Sequence, residues 1–511
     1  MNNHNFGIKA CASSTAIMLL PFFATHAQTT IPAQRVSDIA TGALSSNPAN
    51  FTLIDTRLFF TASDKKGNRG VYLKNLVERN GVTVSPTVWT GRGNTPILLK
   101  NFKLPVGVTD MDQFTATEPS SEPTHGKVYF HVPGSGLWMT YGKTPILIGK
   151  FDDAAAGHEV TGMIPVQADT NGTTPPPLVY FAGWAKKTGQ ELYCSEGSPR
   201  TTRIVDDIVT GTASSNPDEM VEYKQGDSST VFFRATPAGS AFPQIWDTQT
   251  GDLTLAAPVV SSTLGAPDQL VPSSDINGCY YVLPAADSNG VPELWYTSAG
   301  SQVQMTTGGA NPLHVTEFPG NGDSVIFSGT DSTNGRQLWE ANSFLGDGEL
   351  LNVINPNGDA NPANMTAASS EFYFTATVTD TNSQSATYLF VTDGDSSDTA
   401  FVTYVTNNTT YYPTNPGEIT PVLDDNGNGM VYFVADGFVQ DGTGVNFHTG
   451  VLWMVPNDGV SSAAPVLDAQ NHIVTGAYNL KAAVNSAYFF RLYFARDGGD
   501  GFGSEVWVTA N

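Results

Sequence analysis

The sequence predicts an all-β chain folded as a single β-propeller of about nine repeat units, with eight blades as the alternative count. Three observations carry that expectation: a strand pair that recurs nine times, a turn-rich composition, and two chain ends that complement each other. The 511 residues include 50 Gly and 32 Pro, with 11% aromatic and only 14% charged side chains. Such a balance favours short strands joined by tight turns over long helices or coiled coil.

Internal similarity is direct. Val36 to Pro48 (VSDIATGALSSNP) superposes without gaps on Val205 to Pro217 (VDDIVTGTASSNP), with nine of thirteen positions identical. Asn47 to Thr52 (NPANFT) returns as Asn361 to Thr366 (NPANMT). The wider pattern begins with a β-branched or aromatic triplet, ending at Phe60, Phe130, Phe181, Phe233, Tyr281, Phe327, Phe374, Phe433 and Phe490. A polar turn follows, then a second strand carrying an apolar residue before a large aromatic. These aromatics are Tyr72, Trp138, Tyr193, Trp246, Trp295, Trp339, Phe390, Trp453 and Trp507, spaced 44 to 66 residues apart. Triplets such as Val431-Tyr432-Phe433 are too short for helices and are rich in residues that suit a pleated surface. A third apolar run, for example Pro145 to Ile148 or Arg203 to Val205, and a fourth before each triplet, such as Asn364 to Ala368, complete four strands per unit. That is the blade size of a propeller.

The chain ends predict closure. The ninth unit stops at Trp507 to Asn511, where the others continue into a final strand, while Arg35 to Ile39 matches the final strand of the third unit. The N-terminal strand is therefore expected to complete the last blade and remove two sheet edges. The irregular places are the long first interval and the stretch from Tyr388 to Val405, where a unit is expected to be malformed or merged.

Residues 1–27 read as a signal peptide: Lys9, the apolar stretch Ala16 to Ala24, and Thr25-His26-Ala27 before an expected cleavage after Ala27. Residues 28–511 form the propeller. The stretch is too short to span a bilayer, so the expected product is exported (periplasmic, cell-surface or extracellular) and has no membrane span. Lys+Arg number 24 against 48 Asp+Glu, a net charge of −24. Such a surface repels a phosphate backbone, which excludes nucleic acid as a partner. A monomer is expected. Cys194 and Cys279 lie two units apart and are expected to be buried free thiols.

Several copies, namely Glu191-Leu192-Tyr193 followed by Glu196-Gly197-Ser198, Glu293-Leu294-Trp295, Gln337-Leu338-Trp339 after Asp331 and Gly335, and Leu389-Phe390 before Asp393-Gly394, resemble the bacterial ELWxxDGT repeat. The complete Asp-Gly-Thr ending is absent. The resemblance implies an exported, propeller-like protein and no particular reaction.

Chemistry is sparsely signalled. The repeated aromatics read as wedges between sheets. Trp89 and Trp184 fall outside the register and are candidate carbohydrate or peptide contacts, with a partly buried loop anchor the favoured reading. Asp424 to Gly429 has the opening of a calcium loop, but Ala435 stands where a bidentate Glu belongs, which favours a hairpin turn. Asp393, Asp395 and Asp398, with Asp497 and Asp500, form similar acidic turns, so calcium is a possible cofactor and no other is expected. No nucleophile elbow, zinc spacing or phosphate loop occurs. His125, His131, His158, His314, His448 and His472 are scattered, and His131 interrupts a strand directly after Tyr129-Phe130. The sequence assigns no catalytic, cofactor-binding or metal residue.

The expected function is a non-catalytic binding or scaffold protein that holds a protein or carbohydrate ligand on one face of the ring. The alternative is a propeller-type enzyme acting on polysaccharide or peptide through carboxylates near the central axis. Clustered carboxylates and a His at one mouth, with raised pKa values, would favour the enzyme.

Overall fold

The triplets and the motif strands pair in a single register from unit to unit. Phe60 lies opposite Tyr72, Phe130 opposite Trp138, Phe181 opposite Tyr193, Phe233 opposite Trp246 and Tyr281 opposite Trp295. Phe327, Phe374 and Phe433 face Trp339, Phe390 and Trp453 in the same way. The ninth unit departs from expectation, because the residue opposite Trp507 is Phe494 rather than Phe490. A shift of four residues keeps side chains on the same face, so strand alternation could not separate the two candidates; the partner strand decides.

The computed structural model describes residues 32–42, 44–54, 57–75, 96–117, 126–152, 159–166, 177–225, 228–248, 258–260, 264–273, 278–284, 290–298, 301–318, 324–342, 348–395, 398–424, 426–485, 489–497 and 503–509. The fold is all-β and propeller-like, with no helix among the described residues. Four-stranded antiparallel sheets follow one another along the chain. The first runs Ala49–Ile54, Arg57–Ser63, Arg69–Asn75 and Ile97–Asn101. The fourth unit keeps three strands, its last reduced to a bridge between Ile245 and Val260. The seventh and eighth join through a pair between Tyr388 and Thr414, in the stretch where merging was expected.

Alternation along each strand explains the core. Phe181 and Tyr193 share one face and pack on Tyr129, Leu137 and Met139 of the unit before. Tyr180, Leu192 and Cys194 occupy the other face and pack on Phe233 and Trp246 of the unit after. The aromatics are therefore wedges between sheets, as expected, and in several sheets a cross-strand stack such as Phe60 on Tyr72, 5.7 Å apart and 14° from parallel, fixes the wedge. Cys194 and Cys279 are buried free thiols, and burial pushes the Cys194 thiol up to about 11, where it is inert.

The ends meet. Ala33, Gln34 and Arg35 pair with Thr509, Val508 and Trp507. Each inner strand contacts the inner strand of the next unit, and that of the ninth, Ala477–Asn485, contacts that of the first, Ala49–Ile54. A bulge near the start of each inner strand holds a residue at positive φ, among them Asn50, Gln113, Gly162, Glu219, Gln269, His314, Asn364, Glu418 and Asn479. Six of these side chains bond to the backbone of the following unit. Asn50 donates to the carbonyl of Met111 at 2.8 Å and Asn479 to that of Pro48 at 3.2 Å, while Gln113 accepts from the N–H of Met163 at 3.5 Å. Glu219, Gln269 and Glu418 accept from the N–H groups of Leu270, Val315 and Asn479. The bulge thus turns a local irregularity into a tie between successive units.

The Glu of the Glu-Leu-Trp pattern is also structural. Glu191, fully buried, accepts from the N–H and hydroxyl of Ser215; Glu505 accepts from Ile39 and Ala40 N–H and from the Ser46 hydroxyl. Ser46 and Ser215 are equivalent positions of the duplicated segment, so the repeat preserves a carboxylate anchor for the loop that enters the next unit. Gln337 fills the same position in the sixth unit, taking the N–H groups of Ile354 and Asn355. Burial raises the Glu191 carboxyl from 4.5 to about 7 against the lowering pull of Ser215. A raised carboxyl pKa means this group's contribution to stability is fully present below pH 4.5 and is lost as pH rises through about 7. Urea denaturation across pH 4–8 should show that decline, and Glu191→Gln should flatten it. An unchanged slope in the variant would assign the decline to other groups.

Candidate functional site

Antiparallel pairing sets the start of each inner strand beside the end of the following strand. The residue after the triplet therefore faces the bulge, and in five units it is polar: Thr61, His131, Arg234, Ser328 and Thr375. The first three of these meet carboxylates. Around Thr61, Asp110 accepts from its hydroxyl at 2.9 Å and is paired with Arg69, whose Nε donates at 2.9 Å.

His131 is fully buried and held at both nitrogens. Nδ1 lies 2.6 Å from Asp112 Oδ1, and Nε2 lies 3.1 and 3.0 Å from the two oxygens of Asp152. Asp152 also takes the N–H of Val160. Burial disfavours the imidazolium, but bonds to Asp112 and Asp152 outweigh it and hold the pKa at about 9, so both nitrogens donate at neutral pH. The exposed Glu159 carboxylate completes a group with Asp112 and His131 whose ligand-type atoms lie within 4.8 Å of one another.

Arg234 gathers three carboxylates from two units. It is bidentate on Asp218, with Nε and Nη2 both at 2.8 Å, and Nη1 reaches Asp268 at 3.0 Å, Glu219 at 3.2 Å and the carbonyl of Pro267 at 2.7 Å. Glu219 and Asp268 share a hydrogen bond of their own and are driven apart: burial, then the Asp268 contact, raises Glu219, while the bond from Glu219 followed by Arg234 lowers Asp268. Split carboxylates of this kind mark an acid and a base. The Asp218 and Asp268 side chains are 53% and 56% exposed, so water and ligands reach the cluster.

The other candidates are placed as follows. Trp184 is half-buried within the strand Leu178–Ala185. Trp89, His125, His158 and Asp500 lie outside the described residues. Asp424 accepts from the N–H groups of Asn426 and Asn428, the pattern of a hairpin turn, which ties one of its oxygens to its own loop. Asp393 binds the N–H of Asp395 in the same manner. His314 is a bulge residue, His448 pairs with Asp441 at 3.2 Å, and His472 lies 3.5 Å from Asp468. Sequence reasoning singled out His131 and missed Arg234, Glu219 and Asp268. The available signal was the polar residue directly after the triplet in register with an acidic bulge.

No family model matches the chain, and no curated protein is similar to it. Among solved structures, a puromycin hydrolase is similar at 13% identity, covering 77% of this chain and 59% of its own length, with a TM-score of 0.37. A puromycin-hydrolyzing peptidase of Mycobacterium tuberculosis is similar at 10% identity over 80% of this chain and 61% of its own length, TM-score 0.36. An oligogalacturonate lyase in complex with manganese is similar at 13% identity over 71% and 93%, TM-score 0.34. The chain spans about three fifths of the length of the two hydrolases. These neighbours are enzymes, and the expectation of a non-catalytic scaffold is corrected on that finding; the alternative is the reading they accompany. At such identities the likeness is one of strand arrangement and carries no residue across. No helix among the described residues is long and apolar enough to cross a membrane.

Proposed function

We propose that the nine units form one closed ring, exported by the leader at residues 1–27, and that this ring is an acid–base enzyme cleaving peptide or polysaccharide chains. Successive inner-strand contacts and the pairing of Ala33–Arg35 with the ninth sheet support the ring. The likeness of the units to the ELWxxDGT repeat supports export. The observation that carries catalysis is the carboxylate pair of Glu219 and Asp268, both on Arg234, pushed in opposite directions and open to solvent.

In this reading Asp268 takes a proton from a water whose oxygen bonds to the scissile carbon, and Glu219 gives its proton to the departing nitrogen or oxygen as the old bond breaks. Arg234 keeps Asp268 ionised. The net charge of −24 favours neutral and basic chains over polyanionic ones. Activity should follow a bell in pH, rising as Asp268 ionises and falling as Glu219 loses its proton.

The test incubates the protein with basic and neutral peptides and with neutral polysaccharides, with and without calcium, the cofactor suggested by the acidic turns. Glu219→Gln and Asp268→Asn, checked for unchanged thermal midpoint, should each lower kcat by about 100-fold or more. Absence of cleavage in both substrate classes, or cleavage equal to wild type in both variants, overturns the proposal.

A further inference from the structure

We infer that His131, Asp112 and Glu159 form a binding site for one divalent transition cation, with zinc the metal that best suits one imidazole and two carboxylates. The inference does not rest on the acid–base reading, since these residues belong to the second unit and the approach to the third, whereas Glu219 and Asp268 belong to the fourth and fifth.

Three features of the group separate it from an ordinary acidic turn. One ligand is a fully buried histidine rather than another carboxylate, and its ring position is set by the strand Lys127–Val132. Its Nε2 is pinned by both oxygens of Asp152, a side chain only 5% exposed that is itself fixed by the N–H of Val160. A carboxylate on the far nitrogen of a ligating histidine orients the ring and raises its basicity, the arrangement that supports metal-bound imidazoles. Finally, Nδ1 points at Asp112, and Glu159 closes the third side, all within 4.8 Å. An ion bonded at about 2.0–2.2 Å to each atom fits among groups so spaced with small side-chain adjustments.

Asp112 is half exposed and Glu159 is exposed, so the remaining coordination positions face solvent. That leaves room for water or a ligand oxygen on the metal. Binding replaces the proton on Nδ1, which leaves to buffer as the metal–nitrogen bond forms. Asp152 is a positioning residue and does not touch the ion.

Calorimetric titration of the full chain, stripped with chelator and then given zinc, tests the site. Saturation at one equivalent is expected, with X-ray absorption reporting a single imidazole nitrogen among oxygens. Glu159→Gln and Asp112→Asn, both at exposed side chains, should weaken zinc by about 10-fold or more, and Asp152→Asn by roughly 10- to 100-fold, with the metal-free thermal midpoint of the first two unchanged. Zinc that does not saturate, that binds equally to wild type and both ligand variants, or that excess calcium displaces completely would overturn the inference, the last by marking nonspecific attraction to an acidic surface.

Discussion

Removing residues 1–41 should cost roughly 5 kcal/mol, at about 1 kcal/mol for each hydrogen bond lost, and should replace reversible unfolding with aggregation. Ala33–Arg35 supplies the fourth strand of the last sheet, and around it the N–H of Ala33 reaches Leu467 at 2.7 Å and that of Val36 reaches Val506 at 2.7 Å. Without this segment the strand Ser504–Thr509 presents an open edge, a template for pairing with another chain. Glu505, buried and with its pKa raised by burial, also loses the N–H groups of Ile39 and Ala40. Urea denaturation with light scattering measures both effects. A truncated chain with the wild-type midpoint and no scattering would refute the latch. Glu505→Ala separates the carboxylate from the strand: it should cost about 1–3 kcal/mol by stranding buried donors, without aggregation.

Trp453→Ala should be the most costly single wedge substitution, at about 3–5 kcal/mol. Trp453 is fully buried, stacks on Phe433 at 6.4 Å and 12°, meets Tyr404 edge-on at 5.3 Å, and donates its indole N–H to the carbonyl of Ala435 at 3.2 Å. The hairpin pairing Tyr404 with Tyr411 is what brings Tyr404 over it. Trp339, half-buried at the equivalent position, should cost less when cut to alanine. Equal losses in the two variants by chemical denaturation would show that the added hairpin contributes nothing.

Strand identity, the wedge aromatics and the pairing of the N-terminal strand with the last sheet were legible in the sequence because each depends on local chemistry repeated at an interval. The thirteen-residue duplication even encoded the Ser46–Glu505 and Ser215–Glu191 anchors, although its serines alone name no partner. The triplet at Phe490 was misplaced because an even shift along a strand leaves its facing unchanged, so only the pairing with Trp507 could fix Phe494.

The sites were legible only in part. His131 stood out because it broke a pattern, but Asp152 lies twenty-one residues on, and Glu219 and Asp268 come from different sheets. The sequence by itself determined that the chain is a series of β units stiffened by aromatic wedges, since hydrophobic alternation and turn chemistry act over a few residues. Only the tertiary structure decided which of 48 carboxylates gather on an arginine, flank a histidine or anchor a loop. Those roles follow from burial and charge–charge distance, and both are set by which inner strands the closing contacts bring side by side.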